Sequence, residues 1–221
     1  MVQMLQATPP APASIDNDED IQLAEKVTAS SLTVLKNRDI ISQFDGVVVA
    51  CFSVGTMPAM LSTSFNRPAI GIFEASILTA LSLVEDDEKW GIVTTGAFWE
   101  QHLTAGVYQF LGQNEKAGND KFSGVFTSGL NAGDFHKLPP AEVDKKLFEA
   151  AENLFKSGNV KVAVMGCAGM VGLEPIIRRA AVEVYGADKG WSVFIVDAVQ
   201  AGVGQLYEKI QSRKKFREAR R

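Results

Sequence analysis

Gly46-Val47-Val48-Val49-Ala50-Cys51 and Val160-Lys161-Val162-Ala163-Val164-Met165-Gly166-Cys167, whose cysteines stand 116 residues apart, decide how this chain is read. Each is a short run rich in β-branched residues that closes on a cysteine. Such runs suit strands buried on both faces, as in a parallel sheet. The residues just past the two cysteines also match. Phe52-Ser53-Val54-Gly55-Thr56 and Ala168-Gly169-Met170 are glycine-containing turns, and Pro58 and Pro175 fit the first turns of helices. A second strand then ends in an acid that opens another helix, Gly71-Ile72-Phe73-Glu74 in one half and Phe194-Ile195-Val196-Asp197 in the other. The acids lie 123 residues apart, close to the cysteine offset. Near-equal offsets point to two related halves facing each other across a cleft.

Working outward, the same alternation fills the rest of the chain. A helix is expected from a cap at Asp16 or Asp18 to about Lys36, and Val2-Gln3-Met4-Leu5 reads as the end of a strand. Strands are expected over 69–73, 90–95, 122–126 and 191–196, with helices over 74–84, 98–111, 140–156 and 173–185 and a last helix to the C-terminus. Strands alternating with helices give an α/β fold of two pseudo-symmetric lobes, with parallel sheets flanked by helices and a site in the cleft between them. The expected division is a first lobe over 1–89 and a second over 90–221, the C-terminal helix crossing back onto the first.

Composition excludes several classes. Of 221 residues 46% are hydrophobic and 22% charged, enough to bury a core and too apolar for global disorder. No apolar run approaches a membrane span, and Met1 to Gln6 has neither a basic nor an apolar signal region. Two cysteines suit a reducing, cytoplasmic setting rather than a disulfide framework. The net charge of −4 gives no general attraction to nucleic acid. The end of the chain, Arg213 to Arg221, carries six bases against the single acid Glu218, and reads as a solvated final helix whose cations face the helix dipole. Gly166, Gly169 and Gly172 do not make a dinucleotide fingerprint, and no phosphate-binding G-x-x-x-x-G-K motif exists. With no C-x-x-C pair, and only His102 and His136 to assist, no metal site is expected.

Cys51 and Cys167 sit at carboxyl ends of strands, where open α/β sheets bind ligands. Either cysteine alone reads as a small core hydrophobe. The matched placement of the two reverses that reading. Free N–H groups of a following helix are expected to depress each thiol below its usual value of about 8.5. One thiolate on each side of a ligand could remove a Cα proton from one face and return a proton to the other. Glu74 and Asp197 read first as helix caps, and Trp99 and His102 as packing residues that could also line the pocket.

Val48-Val49-Ala50-Cys51-Phe52-Ser53, Pro68-Ala69-Ile70-Gly71-Ile72-Phe73-Glu74-Ala75, Gly91-Ile92-Val93-Thr94-Thr95 and Met165-Gly166-Cys167-Ala168-Gly169-Met170 resemble the aspartate/glutamate/hydantoin racemase superfamily, in its hydantoin and allantoin racemase branch with fungal relatives. The resemblance runs from about Ala11 to Ile210. It implies a cofactor-independent isomerase with one catalytic cysteine per lobe, Cys51 and Cys167, acting on a hydantoin-like or amino-acid-derived small molecule. It implies that Ser53, Thr94, Thr95, Ala168 and Gly169 hold the substrate, that no cofactor or metal is needed, and that the chain forms a homo-oligomer. It also implies an earlier strand, an Asn-Pro-Asn-Ser/Thr-type loop and a helix that this sequence lacks, so an incomplete first lobe is expected. The alternative expectation is a catalytically silent, shortened relative.

Overall fold

A computed structural model describes residues 2–33, 35–114 and 118–218. The part of the basic end from 219 onward lies outside the described residues, while Arg213 to Arg217 occupies the last turns of the final helix.

The first cysteine stretch folds as β1 (Val47–Val49), then α3 (Met57–Phe65), β2 (Ala69–Gly71) and α4 (Ile72–Leu83); α1 (Asp18–Thr33) and α2 (Leu35–Ser42) precede it. β1 and β2 pair in parallel, Val49 opposite Gly71. The remaining strands are β3 (Lys89–Thr94), β4 (Phe122–Thr127), β5 (Val160–Met165) and β6 (Phe194–Asp197). They form a parallel sheet in the order β4-β3-β5-β6. Helices α5 (Phe98–Leu111), α6 (Pro140–Lys156), α7 (Glu174–Tyr185), α8 (Ala187–Trp191) and α9 (Ala198–Glu218) complete the α/β architecture of parallel sheets flanked by helices.

Two-residue alternation explains why the larger sheet needs helices on both faces. Trp90, Ile92, Val162 and Val164 turn toward Phe73, Ile77 and Leu103 of α4 and α5. Val93, Ala163 and Met165 turn the other way, onto Leu147, Leu154 and Ile177 of α6 and α7. Fully burying side chains of this size contributes about 1.5–3 kcal/mol each. The first of these cores also takes in Phe52, Ile70, Ile72 and Ala201, so one apolar body joins the two sheets. α9 runs from the end of β6 back over β1 and β2, where Lys209 Nζ donates to the Ala69 carbonyl at 2.8 Å.

Several expectations change. α1 is capped by Asn17, whose Oδ1 accepts from the Asp20 N–H at 2.9 Å, not by Asp16 or Asp18. Helical residues are described over Asp18–Thr33 and again over Leu35–Ser42, the position between them lying outside the described residues. β2 stops at Gly71 because the next residues already coil into α4. Val2 to Leu5 is no strand, since it has no pairing partner among the described residues, and Val2 and Met4 are exposed. β6 begins at Phe194 rather than 191. The extra helix α8 takes that place because Arg178 Nη1 gathers the carbonyls of Gly190, Trp191 and Val193.

Candidate active site

The register of the strand pairs defines the relation between the two halves. Val49 pairs with Gly71, and Met165 pairs with Asp197; each cysteine lies two residues beyond its paired strand residue. Cys51 and Cys167 are therefore equivalent, as the sequence suggested. Asp197, however, is the counterpart of Gly71, not of Glu74. Asp197 caps α9, its Oδ1 accepting from the Gln200 N–H at 2.8 Å. Glu74 sits inside the first turn of α4, with Oε2 buried and unpartnered; burial pushes its carboxyl up, while its own backbone N–H and Lys209 pull it down.

Cys51 is half-buried, and its Sγ lies 3.3 Å from the Ser53 hydroxyl. Both, with Ile15, Glu25, Gly55 and Gly71, line a cavity of about 160 Å³. That is smaller than the usual ligand pocket of about 300–1,000 Å³, so it suits a compact guest. Cys167 is also half-buried and does not line this cavity. Its Sγ accepts from the Gly169 N–H at 3.3 Å within a single 3-10 turn, Ala168–Met170. The two thiols are close enough that charge on Cys51 raises the pKa of Cys167. A larger hollow of about 350 Å³, between Glu100, Thr104, Ser123 and Asn153, holds neither cysteine and offers no nucleophilic thiol.

The expected depression of both thiols is overturned. Burial pushes Cys51 up first; its contact with Ser53 lowers it, and the Glu25 carboxylate raises it again. Burial likewise pushes Cys167 up, opposed by the Gly169 N–H and reinforced by Cys51 and Asp16. The physical reason is positional. α3 begins six residues after Cys51, and the N–H groups that lead into it are held by a carboxylate: Glu25 Oε1 accepts from Thr56 N–H at 2.7 Å and Met57 N–H at 3.3 Å. Cys167 is followed by a 3-10 turn too short to carry a substantial dipole, and α7 starts only at Glu174.

The other expected binding residues divide. Ser53 and Gly169 contact the two sulfurs directly. Ala168 is half-buried against the joint core. Thr94 is buried, and its hydroxyl donates to the Gly166 carbonyl at 2.7 Å. A Cβ on Gly166 would stand 2.6 Å from Ile92 Cγ2 and 2.8 Å from Thr94 Cβ, so this position closes around glycine and fixes the approach to Cys167. Thr95 is buried as well, its carbonyl accepting from the Gly129 N–H at 3.1 Å. Thr94 thus supports the Cys167 loop with its hydroxyl spent on the chain itself. Trp99 packs in the core; His102 stacks on Phe98 and lies 3.5 Å from Asp18.

Residues 3–206 match the Asp/Glu/Hydantoin racemase family. The chain belongs to that family. It is 32% identical to an uncharacterised protein of Schizosaccharomyces pombe over 164 residues, 74% of this chain and 62% of that protein, and so spans less than two thirds of that relative's length. Its fold is similar to that of allantoin racemase from Klebsiella pneumoniae, at 21% identity and a TM-score of 0.65 over 90% of this chain and 71% of that one. It is also similar to allantoin racemase from Pseudomonas fluorescens, at 21% identity and a TM-score of 0.67 over 93% and 80%. For this racemase-family chain the sequence singled out neither Glu25 nor Asp16 as a neighbour of the thiols. Glu25 reaches Thr56 across 31 residues, and no local spacing signals such a contact.

Proposed function

We propose that the chain is a cofactor-independent racemase that inverts a carbon-acid stereocentre with Cys51 and Cys167 as its two acid/base groups. The observation that carries this reading is the equivalence of the cysteines: each lies two residues past a paired strand end in matching segments of strand and helix, and charge on Cys51 reaches Cys167. The proposed substrate is a small hydantoin-like ring, in keeping with the allantoin racemases of like fold, lying between the compact cavity beside Cys51 and the Cys167 turn. A ring carbonyl beside the stereocentre makes its C–H acidic enough for a thiolate base.

In one direction the thiolate of one cysteine takes the proton from carbon, forming an S–H bond as the C–H electron pair moves into the ring enolate. The opposite thiol then gives its proton to the other face of that carbon and is left as thiolate. The two cysteines have exchanged protonation states, and no electrons enter or leave. Ser53 and the Gly169 N–H are placed to stabilise the respective thiolates. Because burial holds both thiols above the ordinary thiol value, the resting protein is chiefly in its double-thiol form at neutral pH. Turnover should therefore rise with pH toward and beyond that value. The same reading makes the partner a small molecule, the setting cytoplasmic and the active form a homo-oligomer.

The test is incubation of one enantiomer of a 5-substituted hydantoin with purified protein in deuterium oxide, without added cofactor. Loss of optical rotation with deuterium entering at the stereocentre is expected. Cys51→Ser and Cys167→Ser should each slow inversion by about 10²–10⁴-fold. Full two-way inversion by either variant would overturn the assignment.

A further inference from the structure

We propose that Glu25 makes this site selective for neutral ring substrates over substrates bearing a carboxylate, because its own carboxylate already fills the anion-holding start of α3 beside Cys51. The inference rests on the reading of Cys51 as a group that contacts substrate. A helix start offers free N–H donors and a positive dipole end, which is what a substrate carboxylate would seek. Here those donors are spent within the chain. Glu25 Oε1 takes the Thr56 and Met57 N–H groups at 2.7 and 3.3 Å, and Glu25 Oε2 takes the Thr56 hydroxyl at 3.2 Å. Gly55 leaves the space for this: a Cβ there would stand 2.5 Å from Glu25 Oε1.

The surroundings reinforce the exclusion. Glu25 lines the cavity that holds Cys51 and Ser53, and no Lys, Arg or His is among the described residues lining it. Asp16, from the segment leading into α1, brings negative charge to Cys167, as Glu25 does to Cys51. An incoming carboxylate would meet like charge on this wall, no cation among the described lining residues, and the Thr56 and Met57 N–H groups already held by Glu25. A neutral cyclic ureide needs only hydroxyl and backbone partners and escapes the repulsion. Like-charge juxtaposition in a partly desolvated site reduces affinity by about tenfold or more.

The experiment compares 5-methylhydantoin, which is neutral, with its ring-opened counterpart N-carbamoylalanine, which carries a carboxylate. Each probe is titrated at pH 7 for protection of Cys51 and Cys167 from iodoacetamide, read by peptide mass spectrometry. In the wild-type protein the hydantoin should protect at a concentration at least about tenfold lower. Glu25→Gln keeps an acceptor for the Thr56 and Met57 N–H groups but removes the charge, and should shrink that ratio about tenfold; Glu25→Ala should shrink it as well. A ratio unchanged in a variant whose thermal melt remains cooperative overturns the proposal and leaves the site reading standing. If neither variant folds, the wild-type ratio decides, and equal protection by the two probes overturns the proposal. Absence of protection by either probe in any of the proteins defeats the site reading itself, and the selectivity proposal with it.

Discussion

The β1-α3-β2-α4 and β5-α7-β6-α9 segments share a plan and differ in what surrounds their cysteines. Beside Cys51 stands a side-chain hydroxyl, Ser53; beside Cys167 stands a backbone N–H, that of Gly169. The residue before each cysteine is Ala50 in one and Gly166 in the other, and the strand position facing across is Gly71 in one and Asp197 in the other. The helix that starts after the second strand is capped by Asp197 in one segment, whereas α4 carries the half-buried Glu74 in its first turn. The charges that reach the thiols, Glu25 and Asp16, come from outside both segments. The repeat therefore fixes where the thiols sit; burial is the main brake on their ionisation, and the charges of the α1 region add to it.

Substitutions that exchange the differing residues sharpen this comparison. The largest stability effect is expected at Gly166. Gly166→Ala drives a methyl against Ile92 and Thr94, which are held in the buried strand β3, and should cost about 1–3 kcal/mol in chemical denaturation. Ala50→Gly, the reciprocal change, removes an exposed side chain and should cost at most about 1 kcal/mol. Equal losses would mean that the two approaches to cysteine are built alike after all.

A smaller, pH-dependent effect is expected at Glu74. Its carboxyl is raised in the folded protein, so the stability it contributes is complete below the ordinary carboxylate value of 4.5 and is lost as pH rises through the raised value. Ionised Glu74 is thus a net burden at neutral pH. Glu74→Gln should melt slightly above the wild type at pH 7, and the gap should close as the solution is acidified toward pH 4. A variant that melts lower at pH 7 would show that the attraction to Lys209 outweighs burial.

Much of this fold was legible from local pattern. α5, α6 and β5 begin and end where apolar spacing and the Pro140 start predict, because their burial faces are set by residues within each element. Where long-range bonds decide, the pattern was silent. α8 depends on Arg178 reaching the carbonyls at its C-terminal end, and Trp191, apolar in sequence, is exposed there rather than leading a strand. At the site, the positions of Cys51 and Cys167 followed from the repeat, but their raised pKa values did not. Helix starts were expected to favour thiolates; instead Glu25 occupies the start of α3, and the turn after Cys167 is only three residues long. Thr94 was legible as important but not as a brace for Gly166, since the partner lies 72 residues away.

The central claim is that the two sulfurs serve opposite faces of one carbon. Its most direct test is deuterium wash-in from solvent with Cys51→Ser and Cys167→Ser, each offered the two enantiomers of a 5-substituted hydantoin separately. The account predicts that each variant labels one enantiomer without inverting it, and that the two variants choose opposite enantiomers. Labelling of the same enantiomer by both variants, or of both enantiomers by either one, would contradict it.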